Sequence, residues 1–155
     1  MDERARILII DDDESIRKIL SAILEDEGYS VETAENGKEA LDKSDAKVYN
    51  LALIDVRLPD IEGVTLLGKF KETVPRMRKI IITGFPTVQN AIEAVNNKAD
   101  AYMLKPFEIG KILETIKEQL KKQQEEKEYS QNKITEFIET RVRELGIENA
   151  PKTSR

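Results

Sequence analysis

Three aspartates in a row, Asp11, Asp12 and Asp13, follow an aliphatic run, and the stretch ILIIDDDESIR (7–17) holds no cation before Arg17. Carboxylates crowded at the end of a hydrophobic segment repel one another and lose hydration unless a cation compensates. Further along, Asp55 ends LALID, Thr83 ends KIIIT and Lys105 follows AYML. The chain has no histidine and no cysteine, so imidazole and thiol chemistry are excluded, together with disulfides. What remains is a hard-oxygen set, Asp11, Asp12 and Asp55, suited to Mg²⁺ or Mn²⁺. Such an ion would draw in a phosphoryl group and neutralise its charge; Lys105 could pair with a phosphoryl oxygen and Thr83 could donate a hydrogen bond. A carboxylate is then the available nucleophile, and Asp55 is preferred because Asp11 and Asp12 serve better as ligands.

Each residue also has an ordinary reading. Asp13 fits a helix N-cap, where acids are favoured by the helix dipole. Asp55 could be a turn aspartate, Thr83 a strand threonine and Lys105 a solvated lysine. Only their joint placement separates the two readings, so the elements that carry them decide.

Five short apolar runs recur: RILII (6–10), SVETA (30–34), LALI (51–54), KIIIT (79–83) and AYML (101–104). Several are nearly continuous in apolar character, as expected of strands covered on both faces. Between them lie helical patterns: a stripe of Ile16, Ile19, Leu20, Ile23 and Leu24 closed by Gly28, then segments over about 37–44, 64–73 and 87–96. This alternation predicts an α/β fold with a doubly wound, five-stranded parallel sheet and right-handed crossovers. Ligands of such sheets bind beyond the carboxyl ends of the strands, where Asp11, Asp12, Asp55, Thr83 and Lys105 all fall.

In order and spacing, IIDDDESIR, LALIDVRLPDIEG, IIITG and AYMLKPF resemble the receiver domain of two-component response regulators, the CheY-like superfamily. The resemblance covers about residues 5–120. It implies a flavodoxin-like fold with strand order 2-1-3-4-5, and an Asp55 that takes phosphoryl from a phosphohistidine on a sensor histidine kinase. It implies Asp12 as a direct Mg²⁺ ligand, Asp11 acting through water, and the backbone carbonyl of Arg57 completing the protein ligands. It implies a switch in which Thr83 moves toward phosphorylated Asp55 and Tyr102 rotates into the vacated space, altering the face of the fourth helix, fifth strand and fifth helix. A cis Lys105–Pro106 peptide is implied as well. Arg57 and Phe85 occupy positions that vary in the family; a bulky Phe85 points to slow self-hydrolysis. Glu62 stands where the family often has aspartate.

The remaining features set limits. The chain of 155 residues, 39% hydrophobic and 35% charged, is long enough for one domain with an extension. Its net charge of −5 and lack of a basic block make direct nucleic-acid binding unexpected. MDERARILII is unlike a secretory signal, and no apolar run reaches the ~20 residues of a membrane span. These readings predict a cytoplasmic protein with no membrane contact. Residues 1–120 read as the receiver and 121–147 as a helical extension, with a polar stretch to 133 and then a stripe of Ile134, Phe137, Ile138, Val142 and Leu145 closed by Gly146. Residues 148–155 read as a disordered tail. A helix continuous over 108–145 would span about 57 Å, and a strict heptad does not persist through 121–133. The extension is either a solvated tail or a segment docking on a second subunit or domain, so a homodimer could form through it or through the fourth-helix face. No helix-turn-helix, no nucleotide-binding loop and no second catalytic constellation is evident, so output by contact with a protein target is expected. Two rivals stand beside the phosphoacceptor: a metal-dependent phosphatase with an aspartyl intermediate, whose DxDx[TV] motif neither DDDES nor DVRLP matches, and a scaffold that works without phosphorylation.

Overall fold

A computed structural model describes residues 4–84 and 87–146. Five strands, β1 (Arg6–Ile10), β2 (Ser30–Ala34), β3 (Leu51–Asp55), β4 (Arg78–Thr83) and β5 (Ala101–Leu104), alternate with helices α1 (Glu14–Asp26), α2 (Gly37–Ala46), α3 (Gly63–Leu67), α4 (Val88–Asn96) and α5 (Ile109–Glu144). Every pairing is parallel, in the order β2-β1-β3-β4-β5. The predicted flavodoxin-like order is the one found.

Because side chains alternate along a strand, each inner strand feeds two cores. Leu8, Ile10, Ala52, Ile54 and Ile81 pack with Ala40 of α2, Val64, Leu66 and Leu67 of α3, and Ala94 of α4. Ile7, Ile9, Leu51, Leu53, Ile80 and Ile82 pack with Leu20 and Leu24 of α1 and Ile112 and Ile116 of α5. The sheet is therefore covered on both faces, which is why its inner strands β1, β3 and β4 read as largely unbroken aliphatic runs rather than alternating ones. α1 ends as predicted: Gly28 takes φ +95°, a left-handed conformation that glycine adopts without steric cost.

One predicted helix differs in length from the pattern. The apolar spacing over 64–73 predicts a longer third helix, yet α3 stops at Leu67. Gly68 and Lys69 donate to carbonyls three residues back, Thr65 and Leu66, which tightens the turn, and Phe70 then buries itself in the core. α5 instead runs unbroken for 36 residues, about 54 Å at the usual rise. Its contacts with the sheet continue past Leu120. Buried Gln123 donates to the carbonyls of Asn50 and Arg76 at 2.8 and 2.7 Å and accepts from the Asn50 amide at 3.1 Å. Glu126 pairs with Arg78 at 2.6 Å, and Arg78 also holds Asp100. These contacts clamp the helix to the amino-terminal edge of the sheet. Beyond Glu126 every described residue of α5 is exposed except the half-buried Val142.

Candidate functional site

The strand register brings the predicted residues to one rim. Ile10 pairs with Ala34 and Ile54, Asp55 with Ile82, and Thr83 with Leu104, so Asp11, Asp55, Thr83 and Lys105 each sit at or one residue beyond a strand end. Asp11, Asp12 and Asp55 offer carboxylate oxygens that all lie within 4.8 Å of one another. Asp11 and Asp55 are buried, at 4% and 8% exposure, whereas Asp12 faces solvent. Lys105 reaches across from the fifth strand, with Nζ 3.0 Å from Asp11 Oδ2 and 3.6 Å from Asp55 Oδ1.

The electrostatics answer the question raised by the aspartate run. Burial pushes the Asp55 carboxyl above its ordinary range, Asp11 and Asp12 push it the same way, and Lys105 and the Arg57 N–H act against them. For Lys105, burial works against the charge, but hydrogen bonding and attraction to Asp11 and Asp55 prevail and hold its pKa above the usual lysine value. One ammonium is thus shared by two buried carboxylates, with a third beside them. The site is short of positive charge, and its donors are all oxygens. A hard divalent cation fits that donor set.

Several supports of the site carry no obvious mark in the sequence. Asp13 caps α1 as expected, accepting from Ser15 and Ile16 at 2.8 and 3.3 Å. Arg17, one turn further on, donates to the Asp11 carbonyl at 2.8 Å and fixes the acidic loop from below. Asp60, in the loop after β3, accepts from Gly37 and Lys38 at 2.8 and 2.9 Å, so one loop of the rim is tied to the amino end of α2. Gly63 allows the closest approach. A Cβ there would stand 2.1 Å from the Asp55 carbonyl oxygen, and the Gly63 N–H donates to Val56 at 2.7 Å. The glycine following LPDIE was the available signal for this last contact; the roles of Arg17 and Asp60 depend on elements distant in sequence.

Thr83 is fully buried at the end of β4, and its carbonyl accepts from the Lys105 N–H at 2.7 Å. Tyr102 shares the sheet face of Ile81 and packs against the core there, with its hydroxyl buried and unpaired. The Arg57 N–H faces the Asp55 carboxylate, and Arg57 bridges to Glu62 across the loop. Glu62 begins α3 without a side-chain cap. The Lys105–Pro106 peptide is cis, as is Val74–Pro75. Phe85, to which slow self-hydrolysis was attributed, lies outside the described residues, as does the tail 148–155.

Fold and site together define a flavodoxin-like α/β module built around an acidic rim opposed by one lysine. Residues 7–117 match the response regulator receiver domain, and the chain belongs to that family, the receivers of two-component phosphorelay. A CheY-like response regulator receiver domain protein from Methanospirillum hungatei JF-1 is 44% identical, superimposes with a TM-score of 0.77, and is covered over 99% of its chain by 80% of this one. The beryllofluoride-activated NtrC4 receiver domain dimer is 38% identical with a TM-score of 0.71, over 76% of this chain and 98% of that one. The transcriptional regulatory protein ZraR of Klebsiella oxytoca is 37% identical over 118 residues, which are 76% of this chain and 27% of ZraR. The chain therefore spans well under two thirds of that relative's length. Among the described residues, no helix is long and apolar enough to cross a membrane.

Proposed function

We propose that the protein is the phosphoacceptor of a two-component pathway in the cytoplasm, with Asp55 as the phosphorylation site and a sensor histidine kinase as donor. A carboxylate oxygen of Asp55 forms the new O–P bond as the P–N bond to the kinase phosphohistidine breaks, and the leaving imidazole nitrogen retains the electron pair. Asp11, Asp12 and Asp55, with the Arg57 carbonyl, would hold Mg²⁺ or Mn²⁺, which supplies positive charge to the phosphoryl oxygens. Lys105, already poised 3.6 Å from Asp55, pairs with a phosphoryl oxygen and orients the group. The Thr83 hydroxyl donates to another, and the movement of Thr83 and Tyr102 alters the α4-β5-α5 face toward a protein target. The chain is a substrate of the kinase rather than an enzyme in its own right, apart from slow loss of its own phosphoryl group.

One observation carries this reading: three carboxylates within 4.8 Å of one another, two of them buried, facing a single shared ammonium. A solvated turn has no reason to bury such a set. Residues 1–120 act as the receiver and 121–147 as its helical extension. ZraR is named a transcriptional regulatory protein, and the part of this chain in regulation of that kind is to receive the signal rather than to bind DNA. The acidic receiver acts through protein contact.

Incubation with acetyl phosphate, or with beryllofluoride and Mg²⁺, separates this reading from its rivals. The expected result is one phosphoryl group gained from acetyl phosphate by intact mass and a conformational change with beryllofluoride, both lost in Asp55→Asn. Steady turnover of phosphate esters would instead establish a phosphatase, and an unlabelled, unresponsive chain a scaffold.

A further inference from the structure

We propose that the free half of α5 is a self-association element that pairs antiparallel with the same segment of a second copy of this chain. The clamp of Gln123 and Glu126 is the last contact between α5 and the sheet; after it the helix continues through Glu144 with Ile134, Phe137, Ile138 and Leu145 all more than half exposed. At 100° per residue these four and Val142 fall within an arc of about 140°, an apolar stripe rather than scattered exposure. Helices of this length draw most of their stability from packing such a face, and among the described residues nothing covers it.

Charge selects the occupant and its direction. Residues 127–145 carry Lys127, Lys133, Arg141 and Arg143 against Glu128, Glu136, Glu139 and Glu144, four of each sign, so the entire net charge of −5 resides on the rest of the chain. A parallel pair would set two acidic bodies side by side at one end of the seam. An antiparallel pair centred between Glu139 and Thr140 sets Glu126 of each copy about 20 Å from the centre, so the bodies stand about 40 Å apart, far beyond the ~8 Å screening length at physiological salt. In that arrangement Ile134 lies opposite the partner's Leu145 and Phe137 opposite the partner's Val142, while the aliphatic stem of Arg141 covers the partner's Ile138. Lys133 and Glu144 occupy the same flank of the stripe, one on each side of the centre. The two-fold axis therefore brings Lys133 beside the partner's Glu144 twice. Within the monomer both residues make exposed contacts, Lys133 with Glu136 at 3.7 Å and with the Tyr129 ring face at 5.5 Å, and Glu144 with Arg141 at 3.3 Å, which compete weakly.

The native chain contains no cysteine, so single thiols report direction without interference. Sedimentation of the full chain should show a reversible, concentration-dependent dimer, retained in Asp55→Asn and therefore independent of phosphorylation. Phe137→Glu should leave a monomer whose circular dichroism and thermal transition show the receiver still folded. On mild oxidation, an equimolar mixture of Ile134→Cys and Leu145→Cys chains should form the mixed disulfide dimer, while either variant alone should not. Lys133→Glu should weaken the dimer at least several-fold, and Lys133→Glu with Glu144→Lys should restore it. A chain that stays monomeric at high concentration, a dimer unchanged by Phe137→Glu, or disulfides forming readily within each single variant would overturn the proposal.

Discussion

Replacing Asp55 with asparagine should stabilise the protein when divalent cations are absent and destabilise it relative to the native chain when they are present. The magnitude follows from the rim. At an effective dielectric of about 20, a carboxylate no more than 4.8 Å away repels Asp55 by at least about 3.5 kcal/mol, and an ammonium at 3.6 Å attracts it by about 4.6 kcal/mol. Those two nearly cancel, and solvent-exposed Asp12 adds a screened repulsion of about 1 kcal/mol. What is left is the cost of burying a carboxylate only 8% exposed. Asp55→Asn keeps the shape and removes that cost, for an expected gain of about 1–2 kcal/mol at neutral pH. For a domain of this size the melting temperature should rise by about 3–8 °C in chelator. The sign with pH is also fixed. Because the folded pKa of Asp55 is raised, the native state holds more protons than the unfolded chain between the ordinary carboxylate value and the raised one. Native stability therefore falls relative to the variant as pH rises through that window, and the two converge below it. Mg²⁺ at ~100-fold its dissociation constant should return about 2.7 kcal/mol to the native chain and reverse the order. Thermal denaturation of both proteins in chelator and in Mg²⁺, across a pH series running upward from the ordinary carboxylate range, is the assay. A variant that melts below the native chain in chelator, or equal stabilisation of both by Mg²⁺, would refute the electrostatic account of the rim.

Other consequences are as direct. Mg²⁺ and the Asp55 proton compete for one carboxylate, so affinity measured by titration calorimetry should weaken as pH is lowered into the raised Asp55 range, and Asp55→Asn should flatten that dependence. Gly63→Ala drives a methyl into the Asp55 carbonyl, a backbone atom that cannot swing aside; a loss of about 3 kcal/mol in urea denaturation is expected, with weaker Mg²⁺ binding because the acceptor strand shifts. Gln123→Ala strips partners from the carbonyls of Asn50 and Arg76 and should cost about 1–3 kcal/mol by the same measurement while leaving Mg²⁺ affinity unchanged, since the clamp lies at the opposite edge of the sheet.

Much of the molecule was legible because it depends on periodicity. Unbroken aliphatic runs meant strands covered on both faces, and β1, β2 and β5 occupy the residues that the pattern marked. The parallel rule then placed every strand end at one rim. Helix ends were less legible. Nothing in the spacing over 64–73 reveals that the burial of Phe70 ends α3 early, because that depends on what the far side of the core has room for. The long α5 was readable as a composition without Gly or Pro between 121 and 133, but its clamp was not: Gln123 and Glu126 look like solvated helix residues until Asn50, Arg76 and Arg78 come to meet them.

By itself the sequence determined the type of site, since a chain lacking histidine and cysteine, with acids at its strand ends, leaves only carboxylates, a hydroxyl and a lysine to work with. Only the tertiary structure decided how those groups share charge. Lys105 lies 94 positions from Asp11 in the chain, yet bonds it at 3.0 Å while also facing Asp55. Whether a carboxylate keeps or surrenders its proton depends on burial and on neighbours a few ångströms away, and such distances between remote residues are set by strand register and core packing rather than by local pattern.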